Sequence, residues 1–207
     1  MGSKERLYAD IMAVHPEVTG SCNLVIVKQP DNTTVKFIVD CGLFQERKYS
    51  KNNESLPFIP ANIDFCLVTH NHVDHVGRLP FLVSKGFDKE IFISETTSKL
   101  LPLALEDSHK VLRDVAKRQN RPCLYTESDV AQTMKLIRPC KYNQTVQIRP
   151  NIKATFFQNG HLMGATSILV QIGYPGYENI NLFFTGDYNN KNMFFDVPPL
   201  PEWVLDL

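Results

Sequence analysis

Thr69-His70-Asn71-His72-Val73-Asp74-His75 is the stretch on which the fold turns. It directly follows Ile63-Asp64-Phe65-Cys66-Leu67-Val68, an apolar run with the branched and aromatic composition of a strand. The histidines therefore fall where a strand ends and the chain turns. A tight loop there can aim alternate side chains at one point, so His70 and His72 can share a metal ion. Asp74 and His75 then face a second position. Imidazole and carboxylate donors suit zinc, with manganese or iron as alternatives. Three of the six histidines in the chain lie in this one stretch, which argues against a chance polar loop.

Two later residues extend the set. His161 sits in Asn159-Gly160-His161-Leu162-Met163-Gly164-Ala165, between two strand-like runs. Asp187 sits in Phe184-Thr185-Gly186-Asp187-Tyr188, again at a strand end. Alone, each reads as an ordinary turn residue. Beside the histidine loop they become ligand candidates, because two metals need more donors than one loop supplies. Asp40 closes Phe37-Ile38-Val39-Asp40 and could accept a hydrogen bond from a liganding imidazole, fixing its orientation without itself touching the metal. A turn-capping Asp is the plainer reading of the same residue.

Outward from the loop, short apolar runs alternate with turn signals. Strands are expected at Leu7 to Val14, Asn23 to Lys28, Val35 to Asp40, Ile63 to Thr69 and Glu90 to Ser94. Pro30-Asp31-Asn32 marks a hairpin turn between the second and third. Val76 to Lys85 reads as one short helix stopped by Gly86, and helical periodicity runs over Thr96 to Arg118 and Ser128 to Ile137. Strands return at Thr145 to Ile148, Ile152 to Gln158, Thr166 to Ile172 and Ile180 to Thr185. The Pro-rich and then apolar tail, Val197 to Leu207, reads as a connection onward. Strands, then helices, then strands imply a sheet-on-sheet core with helices outside.

Composition narrows the function classes. The 207 residues are 43% hydrophobic, and no apolar run approaches the roughly 20 residues of a membrane span. No basic-then-apolar leader opens the sequence, so a secretory signal is not expected. Five cysteines without a CxxC pair disfavour a zinc-thiolate site and fit a reducing, cytoplasmic setting. Lys plus Arg equals Asp plus Glu, at 22 each, which argues against nucleic-acid binding by bulk charge. A strip of Lys110, Arg113, Lys117 and Arg121 recurs at helical spacing and reads either as a solvated helix face or as a local substrate contact.

The string His70-Asn71-His72-Val73-Asp74-His75 resembles the HxHxDH signature of the metallo-β-lactamase superfamily, and Asp40, His161 and Asp187 match its other motifs in order. Thr19-Gly20-Ser21, Asp40-Cys41-Gly42-Leu43-Phe44-Gln45, Gly77-Arg78-Leu79-Pro80, Gly160-His161-Leu162-Met163-Gly164 and Thr185-Gly186-Asp187-Tyr188 resemble its β-CASP branch of RNA nucleases. The resemblance spans about Leu7 to Leu207. It implies an α/β (α+β) αββα sandwich, with metals at one edge of the sheets. His70, His72 and His161 would hold one zinc, Asp74 and His75 the second, and Asp187 would bridge them. Asp74, His75 and Asp187 would serve the chemistry, with Asp74 orienting or deprotonating the attacking water.

The family pattern also needs a last histidine and a β-CASP cap, and no histidine follows His161. Residues 1–207 are therefore expected to be an N-terminal portion, a sandwich incomplete at its C-terminal end. The cap would come from further chain or a partner chain. An apolar face left uncovered could be closed by such a partner or in a homodimer. The implied activity is metal-dependent phosphodiester hydrolysis with RNA as substrate. The same motifs leave open a DNA nuclease, a small-molecule thioester hydrolase or a non-catalytic scaffold subunit.

Overall fold

The computed structural model describes residues 6–15 and 19–205. The first strands form a meander: β1 (Tyr8–Ala13), β2 (Asn23–Lys28) and β3 (Thr34–Val39) pair antiparallel. The β2–β3 turn lies at the expected residues. Asp31 Oδ1 accepts from the Thr33 amide at 2.9 Å, and Asn32 takes a left-handed φ of 65°. Then β4 (Phe65–Val68), β5 (Ile91–Ser94) and β6 (Ile137–Cys140) add in parallel, giving a six-stranded sheet in sequence order. The second sheet holds β7 (Thr145–Arg149), β8 (Ile152–Gln158), β9 (Thr166–Ile172) and β10 (Ile180–Phe184), all antiparallel.

Strand alternation explains the layering. Phe65 and Leu67 of β4 point to one face and pack with Phe156, Ile168 and Val170 of the second sheet. Cys66 and Val68 point to the other face and pack under the helices with Leu79, Leu82, Leu101 and Leu105. A strand buried on both faces reads as a continuous apolar run, which is what Phe65-Cys66-Leu67-Val68 is. The helices on that outer face are α1 (Val73–Val76), α2 (Leu79–Ser84), α3 (Glu95–Arg118) and α4 (Glu127–Leu136), and α5 (Glu202–Leu205) follows late in the chain. Trp203 of α5 stacks edge-on against Phe157 of β8 at 6.0 Å, so the late chain returns to the outer face of the second sheet. Residues 206–207 of the expected tail connection lie outside the described residues.

Two expectations are corrected. The helix expected over Val76 to Lys85 is two helices, broken at Gly77 and Arg78. A ring at Pro80 would collide with the carbonyl four residues back in a continuous helix, so α2 begins afresh with Pro80 in its first turn. The segment Ile137-Arg138-Pro139-Cys140 is strand β6, which went unread because Pro139 argues against a strand. Its place at the sheet edge makes the missing amide harmless there. Thr185 falls just beyond the end of β10.

Candidate metal centre

Four loops at one edge of the sandwich deliver the candidate residues. They follow β3, β4, β8 and β10, at Asp40, residues 69–75, His161 and Asp187. The first two are laced together by backbone. The amides of Cys41 and Leu43 donate to the carbonyls of His75 and Val73, at 2.8 and 2.9 Å. The Ser21 amide donates to the Asp74 carbonyl at 2.8 Å. Gly42 is required at this crossing, since a Cβ there would stand 1.5 Å from the Asp74 carbonyl oxygen. The second loop is tied to the second sheet: the amide of Thr166, at the start of β9, donates to the Thr69 carbonyl at 2.9 Å. Gly186 in the fourth has φ +57°, and its α-carbon faces Thr69 so closely that a Cβ would come within 2.8 Å of that side chain.

This scaffold brings His70, His72, His161 and Asp187 together, with one ligand atom from each lying within 4.8 Å of all the others. His161 Nε2 and His72 Nδ1 are 3.1 Å apart. Asp187 Oδ2 is 3.4 Å from His161 Nε2 and 3.9 Å from His70 Nε2. Its other oxygen, Oδ1, is 3.3 Å from His75 Nε2. Asp187 thus stands between His75 and the other histidines, one carboxylate oxygen toward each side. Asp74 occupies the first turn of α1, half-buried, and is not part of the four-residue group. Its charge does reach His75 and His161.

Asp40 lies against His75. His75 Nδ1 is 2.8 Å from Asp40 Oδ2, leaving Nε2 turned to Asp187. Asp40 is buried in a left-handed conformation, φ 63°, which Asp tolerates better than most residues. The Thr69 amide and hydroxyl each donate to it at 2.8 Å and hold it there. Thr69 was not singled out from the sequence, although it directly precedes the first histidine. Asn159 was likewise missed, as were Ser94 and Thr97. The last two donate to the Gly164 carbonyl at 2.7 and 2.8 Å and so clamp the His161 loop to the start of α3.

The electrostatic environment differs between the imidazoles, and favours the uncharged form at His70 and His161. Burial, with the neighbouring His75, His72 and His161, drives the His70 pKa down to about 2. Burial lowers His161 as well, partly offset by Asp187. Burial also works to lower His75, but the Asp40 carboxylate and its hydrogen bond outweigh it and carry the group to about 9. His70 Nε2 is fully buried and has no hydrogen-bond partner. A buried polar atom without a partner is costly, and a cation accepting its lone pair removes that cost. The donor set and this orphaned nitrogen fit a divalent metal.

Lys110, Arg113, Lys117 and Arg121 are all exposed, and Arg121 is spent on Glu54 at 2.9 Å. Among the described residues, no helix is long and apolar enough to cross a membrane.

Comparison with known proteins gives a consistent picture. Residues 28–192 match the metallo-beta-lactamase superfamily domain. The chain is 31% identical over 193 residues to Ribonuclease TTHA0252 of Thermus thermophilus, a match covering 91% of this chain and 40% of that protein. It is 30% identical to Endoribonuclease ysh1 of Aspergillus fumigatus, covering 84% of this chain and 19% of that one. It is 31% identical to Transcription termination factor FttA of Methanocaldococcus jannaschii, covering 83% and 25%. The chain thus spans well under half the length of these relatives. The solved structure of BJP-1, a subclass B3 metallo-beta-lactamase of Bradyrhizobium japonicum, superposes with a TM-score of 0.50 at 20% identity, covering 87% of this chain and 60% of that one. That likeness concerns the fold. Two of these relatives are named as a ribonuclease and an endoribonuclease, and the chain belongs to the metallo-β-lactamase superfamily.

Proposed function

We propose that this chain carries the metal centre of an RNA nuclease that hydrolyses phosphodiester bonds. The observation that carries the reading is the convergence of His70, His72, His161 and Asp187 at one sheet edge, in a chain whose relatives are named as ribonucleases. His70, His72 and His161 would hold one zinc; Asp74 and His75 would hold a second, with Asp187 between them. Zinc supplies Lewis-acid polarisation of a phosphoryl oxygen and lowers the pKa of water toward about 7. Manganese or iron would serve the same donor set.

The chain's own residues divide the remaining work. His70 is kept neutral by burial, so its Nε2 lone pair is free for a cation. Asp40 fixes the tautomer and orientation of His75 through Nδ1. Asp187 bridges the two sides of the site through its two oxygens. Asp74 is assigned to orient the attacking water and take its proton. Most of each relative's length lies outside the matched part. By analogy, the last histidine of the second ligand set and the cap that grips RNA would come from outside these 207 residues. A reducing, cytoplasmic setting suits the five free thiols of the chain.

The test is hydrolysis by the zinc-loaded full-length protein, with 5′-labelled RNA, single-stranded DNA and a thioester offered in parallel. RNA cleavage that chelation abolishes and zinc restores is expected. Intact RNA beside a hydrolysed thioester would contradict the nuclease reading.

A further inference from the structure

Two of the candidate ligands, His161 and Asp187, arrive on loops that are 26 residues apart in the chain, and something must set the distance between them. The side chain best placed to do so is Asn159, which is only 1% exposed. Its Oδ1 accepts from the backbone amide of His161 at 3.1 Å. Its Nδ2 donates to the Thr185 carbonyl at 3.3 Å and to Ser167 Oγ at 3.4 Å. Ser167 Oγ in turn donates to the same Thr185 carbonyl at 2.8 Å. Thr185 leads through Gly186 directly into Asp187.

The partners dictate which end of the amide is which. The His161 N–H can only donate, so it must face the oxygen; the Thr185 carbonyl can only accept, so it must face the nitrogen. No other side chain of this size has one donor end and one acceptor end. The neighbouring Gly160 supplies a further tie between the same loops. Its amide donates to the Asn189 carbonyl at 2.6 Å, and its carbonyl accepts from Asn192 Nδ2 at 3.0 Å.

We propose that Asn159 is a positioning residue that fixes His161 relative to Asp187 and so presets the metal centre. The inference rests on the metal reading given above. It requires no contact between Asn159 and the metal or the substrate, and its effect passes through the two loops it joins. Groups of this kind, one bond removed from the ligands, are typically worth roughly 10–100-fold in metal affinity.

The experiment is Co2+ titration of the purified chain, read by its visible absorption band, with thermal unfolding measured on the same preparations. Two variants are compared with the original. Asn159→Asp keeps shape and the acceptor for His161 but sets a carboxylate against the Thr185 carbonyl. Asn159→Leu removes all three bonds. Both are expected to weaken Co2+ binding roughly 10–100-fold and to change the band. Thr155→Val is the control. It removes a buried hydroxyl of β8, the strand that leads into Asn159, bonded to Thr145 of β7 at 2.9 Å rather than to either metal loop. It is expected to lower the unfolding temperature while leaving affinity and band unchanged.

The proposal is overturned if Asn159→Asp binds Co2+ within about twofold of the original with the same band. It is equally overturned if Thr155→Val loses affinity in step with its stability. Should Asn159→Leu fail to fold, the near-isosteric Asp variant decides. An original chain that takes up no Co2+ overturns both this inference and the metal reading. RNA cleavage assayed on the full-length protein separates the nuclease reading: intact RNA with the expected Co2+ pattern removes that reading and leaves this inference standing.

Discussion

Asp40 is the residue on which the orientation of His75 depends. It accepts from Thr69 twice and from His75 once, all at 2.8 Å, in a backbone conformation few residues adopt. Asp40→Asn keeps the shape but weakens the bond that orients His75. Zinc affinity measured by chelator competition is expected to fall roughly 10–100-fold with the fold retained. Gly42→Ala acts differently, because the added methyl would overlap the Asp74 carbonyl. The expected outcome is a loss of about 3 kcal/mol or more in urea unfolding, since backbone on both sides must shift. Among single residues, the histidine loop, Asp40, His161 and Asp187 could be read from the sequence because each carries its chemistry in its own side chain and sits at a strand end. Thr69, Thr97 and Asn159 could not, because their importance lies in partners that only folding supplies. Thr97 meets Gly164 across 67 residues.

Helix α3 shows how an element can serve the site without carrying a ligand. Ser94 caps it by accepting from the Thr97 amide at 3.1 Å, and the hydroxyls of both residues reach the Gly164 carbonyl. Thr97→Val leaves the helix its cap residue but removes one of the two clamps on the His161 loop. A loss of about 1–2 kcal/mol is expected, measured by chemical denaturation, together with faster amide exchange across residues 160–165. Element types were readable where periodicity spoke clearly, as in α3 and α4, whose Thr126–Asp129 capping box then sets the first turn. They were not readable where proline sent a mixed signal. Pro80 ends one helix by starting another, and Pro139 sits within a strand that only its edge position permits.

Across the whole molecule, the site is a meeting of two sheets. Two of its loops follow strands of the first sheet and two follow strands of the second, and the Thr166 to Thr69 hydrogen bond joins them. Metal binding should therefore stabilise the sandwich as a unit. Zinc at 100 times its dissociation constant is expected to add about 2.7 kcal/mol to unfolding, and chelation to remove it. An unchanged unfolding temperature with and without zinc would show that the loops are not coupled through a cation. Layer order followed from the alternation of apolar runs. Which sheet edge would hold the site followed only from the ligand motifs. The late chain was the least readable part: Met193 and Phe194 are 93% and 88% exposed, so apolar composition there does not report burial.

The central claim is that side chains from distant stretches of the chain converge on a metal. Anomalous diffraction at the zinc edge, from crystals of the zinc-loaded protein, tests it most directly. The expected result is a peak enclosed by the imidazoles of His70, His72 and His161, with Asp187 at its side. A map with His161 or Asp187 turned away, and any zinc bound elsewhere, would contradict it.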